Sequence, residues 1–313
     1  MQRRHMLAGI AAGAAGCAAT GVHAATHATG LRPRPRRRNG PYVVTDDGTD
    51  LFVKDWGRGA PLLFVASAGV GNDIWQYQHA HFVTSGHRVV AFDRRGHGRS
   101  AQPGSGYDTD TLADDLACVI ESLGLRDLTL IGHSMGCGEI VRYLHRHGSS
   151  RVRRIALVAT MTPFLLKGAD NPQGIDRGMF EALRAEWRQD FPGWVAANAR
   201  PFFVPDTSQA MIDWGIAQMR NTPPWVAVAC NAGMVESDFR SELKELTLPA
   251  LVVHGTADAS APIALTGAAT AALLTHGEYL VYEGAPHGLM LTHMQRLNAD
   301  LAAFIAGRES WPA

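Results

Sequence analysis

Between residues 61 and 282, short apolar runs alternate with longer stretches whose apolar positions recur every three or four residues. The runs are Pro61–Val65, His87–Phe92, Leu128–Ile131, Val152–Val158, Ala250–His254 and Tyr279–Tyr282. They are short and apolar with little alternation, which predicts strands covered on both faces. The stretches between them keep helical spacing, as in Met135–His147, where Ile140, Val141 and Leu144 share one face. Ahead of these, Tyr42–Thr45 and Leu51–Trp56 flank Asp46-Asp-Gly48, a strong turn signal that predicts an antiparallel hairpin. The alternation predicts an α/β fold with a mostly parallel, eight-stranded sheet flanked by helices. From 162 to 246 the strand signal disappears. Several helices are predicted there, inserted into a core made of residues 41–161 and 247–308.

Composition adds bounds and one asymmetry. At 313 residues, 46% hydrophobic and 19% charged, the chain has room for one large globular domain with an insert. The formal net charge is zero, yet residues 1–40 hold seven arginines and no acid, leaving 22 basic against 29 acidic residues in the body. A net-acidic body argues against a nucleic-acid partner. Arg3-Arg4, a mildly apolar alanine- and glycine-rich stretch and Val22-His-Ala24 predict an export signal over residues 1–25, of twin-arginine type. The mature protein is therefore expected in the periplasm or outside the cell. Cys17, in Ala-Ala-Gly-Cys, offers a lipid anchor as the alternative. Residues 7–22 are too short and alanine-rich for a comfortable membrane span, so no stable insertion is expected. The run Arg32–Arg38 predicts a disordered basic linker over residues 26–40. Past the leader only Cys118, Cys137 and Cys230 remain, an odd and scattered set that is no disulfide framework. The pairs His79/His81 and His145/His147 are spaced i,i+2, diverge on a helix, and are not expected to bind metal.

Ser134 carries the chemistry. It lies in Gly132-His-Ser-Met-Gly136, between a predicted strand and a predicted helix. Such a turn lifts the serine hydroxyl above the sheet edge, and its small flanking residues let strand and helix crowd together. A nucleophilic serine needs a base and a group that orients the base. Asp258 follows the strand ending at His254-Gly255, and His287 follows the strand ending near Tyr282. The order serine, aspartate, histidine, each just past a strand, matches that of α/β-hydrolases. His287 is the expected base and Asp258 its orienting acid. His133, inside the turn, is expected to pack.

Longer stretches make the likeness specific. Asn72-Asp-Ile-Trp75, Ala91-Phe-Asp-Arg-Arg-Gly-His-Gly-Arg-Ser100, Leu130–Gly136, Val253-His-Gly255, Gly284-Ala-Pro-His-Gly-Leu289 and Leu297–Leu301 carry it. In these the chain resembles the cofactor-free, non-haem haloperoxidase and arylesterase branch of the α/β-hydrolase superfamily, over about residues 41 to 307. The resemblance implies the α/β-hydrolase fold with 162–246 as a helical lid. It also implies a serine esterase that forms an acyl-enzyme and perhydrolyses acids with peroxide, without metal, haem or flavin. Small-molecule esters are the implied substrates, and the oligomeric state stays open. By the family's pattern the backbone N–H groups of Ala68 and Met135 form the oxyanion hole. Here the chain departs: after Pro61–Val65 it reads Ala66-Ser-Ala-Gly69 where the family has His-Gly before the oxyanion residue. A backbone donor tolerates that change, and the small side chain suggests a roomier acyl pocket. The stretch Asp93–Ser100 lacks the ending of a phosphate loop and reads as the family's structural turn. The lid carries Trp187, Trp194, Phe202, Phe203, Trp214 and Trp225, and apolar walls suit aryl or medium-chain esters. A lactonase or carbon–carbon bond hydrolase with the same triad, or a non-catalytic ligand binder, are the alternatives. Serine at 134 excludes the usual aspartate-nucleophile dehalogenases and epoxide hydrolases.

Overall fold

The structure, a computed structural model, describes residues 36–37 and 40–307. The expected export signal, Cys17 and most of the basic linker lie outside the described residues. The strands are β1 (Arg36–Arg37), β2 (Tyr42–Val44), β3 (Asp50–Trp56), β4 (Pro61–Val65), β5 (Arg88–Phe92), β6 (Leu128–His133), β7 (Val152–Val158), β8 (Ala250–Gly255) and β9 (Gly277–Tyr282). They form one sheet in the order β1-β2-β3-β5-β4-β6-β7-β8-β9. Strands β4 to β9 run parallel, while β1, β2 and β3 pair antiparallel and β3 joins β5 antiparallel. The eight expected strands are thus present. Within the span expected as linker, the backbone of Arg36–Arg37 pairs with β2 as a two-residue edge strand.

The helices are α1 (Gln76–Thr84), α2 (Thr109–Ser122), α3 (Met135–His147), α4 (Arg177–Asn198), α5 (Gln209–Arg220), α6 (Pro224–Glu236), α7 (Arg240–Glu245), α8 (Gly267–Ala271), α9 (Leu289–Thr292) and α10 (Met294–Ile305). Central strands are mostly apolar because their successive side chains enter two different cores. Leu63, Val65, Leu128, Leu130, Ile155, Leu157 and Val252 meet the helices α2 and α3. Leu62, Phe64, Ile131, Ala156, Val158 and Val253 join Phe82 of α1 and Leu297, Leu301 and Phe304 of α10. Each large apolar side chain fully withdrawn from water contributes roughly 1.5–3 kcal/mol. A one-residue slip of β6 would exchange both sets, so the register of the strand that presents Ser134 is firmly held.

Helices α4 to α7 lie between β7 and β8. Helix α4 breaks at Asp190 (φ −152°, ψ 76°), two residues before Pro192, and Asp190 Oδ1 accepts the Gly193 N–H at 2.8 Å to cap the second half. Trp187, Phe191 and Val195 of α4 pack on Ala227 and Val228 of α6. Helix α7 differs: Leu243, with Phe239 and Leu246, enters the first core, so this end of 162–246 packs with the core layer. Cys118, Cys137 and Cys230 are buried and free, and burial pushes each thiol up to about 12. At neutral pH they are inert packing residues. No helix among the described residues is long and apolar enough to cross a membrane.

Candidate active site

Strand β6 ends at His133 and helix α3 starts at Met135, which leaves Ser134 to make the whole turn at φ 57°, ψ −120°. For a residue with a Cβ this conformation costs on the order of 1–3 kcal/mol. It is held by the Ser134 N–H donating to Val158 O at 3.0 Å and by Ser134 O accepting the Cys137 N–H at 3.1 Å. The flanking glycines answer close approach. A Cβ at Gly132 would stand 2.8 Å from Ile140 Cδ1, and one at Gly136 2.7 Å from Val65 O and 2.8 Å from Ala66 O.

Asp258 and His287 follow β8 and β9 and meet beside this turn. The His287 Nδ1–H donates to Asp258 Oδ2 at 2.7 Å. Asp258 Oδ1 accepts the N–H groups of Ser260 at 2.9 Å and Ala261 at 2.7 Å. Burial alone would raise the pKa of the Asp258 carboxyl. The charge of His287, the hydrogen bonds from His254 and His287 and the Ala261 amide outweigh it, and hold the carboxyl well below its usual range. Asp258 is therefore an acceptor only. It selects the Nδ1–H tautomer of His287 and leaves Nε2, on the far edge of the ring, with its lone pair. Ser134 and His287 are 5% and 4% exposed, so both lie in a nearly closed site.

Two further histidines surround this pair. The His133 Nε2–H donates to the His287 carbonyl at 3.0 Å, and the two rings stand 4.7 Å apart between centroids. Burial first, then the charge of His287, push His133 well below its usual pKa, so it stays neutral. It packs, as expected, and it also ties the residue before Ser134 to the backbone of His287. The His254 Nε2–H donates to Ala261 O at 2.9 Å and lies 3.2 Å from Asp258 Oδ2. Its place in Val253-His-Gly255 was visible in the chain, but nothing in the spacing showed that it reaches Asp258. Phe202, one of the six insert aromatics, has its ring 5.7 Å from that of His287, and its carbonyl accepts the Gly288 N–H at 3.1 Å. Trp187 and Trp194 pack on each other, Phe203 and Trp214 join the second core, and Trp225 stacks edge-on to Tyr107.

Ala68 lies just past β4, and its side chain shares one apolar cluster with Met135, Tyr107, Leu112, Val226 and Cys230. As the first residue of α3, Met135 has an N–H ahead of the helix's own hydrogen-bond ladder, at the end where the dipole favours negative charge. A serine in a strained turn, an imidazole with a fixed tautomer and the helix-start N–H of Met135 next to that serine can support acyl transfer.

The chain matches the family model of the alpha/beta hydrolase fold over residues 61–294. It is 37% identical over 275 residues to a non-heme chloroperoxidase of Kitasatospora aureofaciens, an alignment covering 85% of this chain and 99% of that protein. To a bifunctional esterase/perhydrolase of Acinetobacter calcoaceticus it is 35% identical, covering 84% and 99%. Among solved structures, a bromoperoxidase from Bacillus anthracis superposes with a TM-score of 0.80 at 30% identity, covering 82% of this chain and 96% of that one. The chain belongs to the α/β-hydrolase fold family, in the branch that holds the non-heme haloperoxidases.

Proposed function

We propose that the protein is a serine esterase in which Ser134, His287 and Asp258 form the catalytic triad and the N–H groups of Ala68 and Met135 form the oxyanion hole. Ser134 Oγ attacks the ester carbonyl while His287 Nε2 takes its proton. The carbonyl oxygen gathers negative charge that the two N–H groups meet. The ester C–O bond then breaks, the alcohol leaves with the proton from His287, and the acyl group stays on Ser134. Water, deprotonated by His287, releases the carboxylic acid; hydrogen peroxide in its place releases the peroxycarboxylic acid. The esterase/perhydrolase relative supports both outcomes. The helices α4 to α6 serve as the lid, with Phe202 walling the site beside His287.

The observation that carries this reading is the strained conformation of Ser134 at the end of β6 beside an imidazole bonded to a buried carboxylate at 2.7 Å. A serine with only a structural role has no need of a conformation that disfavours its own Cβ. The test is hydrolysis of p-nitrophenyl acetate, butyrate and octanoate by wild type and Ser134→Ala. Turnover is expected to vanish in the variant while the circular dichroism spectrum is kept. Activity near wild type in folded Ser134→Ala would overturn the assignment.

A further inference from the structure

The stretch Asp93–Ser100 carries two consecutive buried arginines that point in different directions. Arg95 turns to α2, with Nε 2.6 Å from Asp115 Oδ2, Nη2 2.6 Å from Asp115 Oδ1 and Nη1 2.9 Å from Asp47. Arg94 turns to the site. Its Nη2 donates to Ala66 O at 2.6 Å, its Nη1 to Ser67 O at 2.8 Å, and its Nε to Glu139 Oε1 at 2.7 Å. Arg94, Arg95, Glu139 and Asp115 are buried, while Asp47 is exposed. Each arginine thus holds one buried carboxylate, and only Arg94 touches the loop before Ala68.

That loop is tied on both sides of Ala68. Arg94 holds the two preceding carbonyls. The Gly69 N–H donates to His97 Nε2 at 3.0 Å, and Gly69 O accepts from Thr222 Oγ1 at 3.0 Å. His97 Nδ1–H is committed to Arg95 O at 2.9 Å, so Nε2 keeps its lone pair for Gly69. Burial and the nearby Arg94 charge lower His97 to about 3, which keeps it neutral. Further on, Asp93 Oδ1 accepts both the backbone and side-chain N–H of Asn72 at 2.8 and 2.6 Å. On the other side, Glu139 lies one helical turn after Met135 in α3, and Gly136 abuts the carbonyls of Val65 and Ala66. One guanidinium therefore spans the segment that carries one oxyanion donor and the helix that carries the other.

We propose that Arg94 is a positioning residue that sets the spacing of the Ala68 and Met135 N–H groups, by clamping the Ala66 and Ser67 carbonyls to Glu139 of the nucleophile helix. This rests on the acyl-transfer reading of Ser134. A planar fork is required, because three acceptors in different directions must be met by three fixed N–H groups. Lysine keeps the charge but offers a compact ammonium on a flexible stem. Donors act on the oxygen of the tetrahedral state, so their misplacement lowers kcat and leaves ester binding alone.

The experiment compares Arg94→Lys with Arg95→Lys, which loosens the neighbouring buried pair without touching the loop. The readouts are kcat and KM on p-nitrophenyl butyrate, affinity for butylboronic acid as a tetrahedral mimic, and Tm. A shift of about 1 Å in a catalytic group can cost on the order of 100-fold. Arg94→Lys is expected to lose roughly 10- to 100-fold in kcat and in boronate affinity, with KM within about two-fold. Arg95→Lys is expected to keep kcat whatever it loses in Tm. Should Arg94→Lys fail to fold, the pair Arg94→Met with Glu139→Met removes both buried charges together, leaves none stranded, and is expected to show the same kcat loss. Wild-type kcat and boronate affinity in the Arg94 variants, or equal losses in Arg95→Lys, would overturn the positioning role. Turnover surviving Ser134→Ala would instead overturn the acyl-transfer reading, and this inference with it.

Discussion

His79 offers the sharpest test of how this fold pays for buried polarity. It sits in α1, 2% exposed, with its ring edge-on to Phe64 at 5.1 Å and to Trp56 at 5.8 Å between centroids. Neither ring nitrogen has a hydrogen-bond partner among the described residues. Burial first, and the nearby Lys54 ammonium second, lower its pKa to about 3, with Asp73 opposing. A basic group whose folded pKa lies below its unfolded value leaves the native state refusing a proton that the unfolded chain accepts. Stability from this group is therefore full above about pH 6.5 and is lost as pH falls towards 3. At pH 5 the unfolded histidine is almost wholly protonated and the native one is not; one and a half pH units below 6.5 amount to about 2 kcal/mol. Replacing His79 by leucine, similar in volume and without ionisable nitrogens, removes that penalty. Urea unfolding followed by tryptophan fluorescence should find His79→Leu at least as stable as wild type at pH 7. Its advantage should grow by about 2 kcal/mol at pH 5. Curves that keep a constant gap between the two pH values, within about 0.5 kcal/mol, would refute the reasoning, because the difference isolates the one proton.

Two other substitutions probe the site from opposite sides. In Asp258→Asn, the amide oxygen keeps the Ser260 and Ala261 N–H groups, so the NH2 faces His287 Nδ1 and forces the tautomer with its proton on Nε2. Steady-state assay on p-nitrophenyl butyrate should show kcat reduced by about 10⁴-fold at nearly unchanged Tm, and a loss under ten-fold would point to a different orienting acid. In Gly136→Ala, the new methyl would stand under 3 Å from two carbonyl oxygens of the β4 end, so the Ala66–Ala68 segment must shift. A cost of roughly 1–3 kcal/mol and a clear drop in kcat are expected. Gly178→Ala, which meets nothing within 4 Å in α4, is the matched control and should leave both unchanged.

The parts of this protein that were legible in its chain are those with a local signature. Apolar runs marked β4 to β9 because strands covered on both faces are mostly apolar, with Thr129 in β6 and Arg153-Arg154 in β7 as exceptions, and Asp46-Asp-Gly48 marked the β2–β3 hairpin. The positions proposed for the triad are readable because each follows a strand end, where a parallel sheet presents its loops along one edge. Two-residue β1 was not legible: its residues are arginines within a basic run, and pairing with β2 is a matter of backbone, which leaves no side-chain pattern. The contacts that surround the site were hidden for another reason. Arg94 reaches Glu139 across 45 positions and Phe202 reaches Gly288 across the whole of α5 to α8, and only the fold sets such distances. The sequence did mark Asp93–Ser100 as a turn. What it could not mark is that the two arginines in that turn diverge, since adjacent side chains on an irregular loop carry no periodicity to read.

Three histidines gather around Asp258, and burial does not tell them apart, since all three are buried. The difference lies in which nitrogen each has committed. His133 and His254 give their Nε2–H groups to the carbonyls of His287 and Ala261, and their enclosed Nδ1 atoms have no partner among the described residues. For His133 to serve as a base it would have to take a proton at Nδ1, which burial and the neighbouring His287 oppose directly. His287 is committed the other way round, with Nδ1–H on Asp258 and Nε2 left over. A single carboxylate thus separates the proposed base from two props made of the same residue type. His133 ties to the backbone of the proposed base, and His254 lies beside the same Asp258 oxygen that orients it.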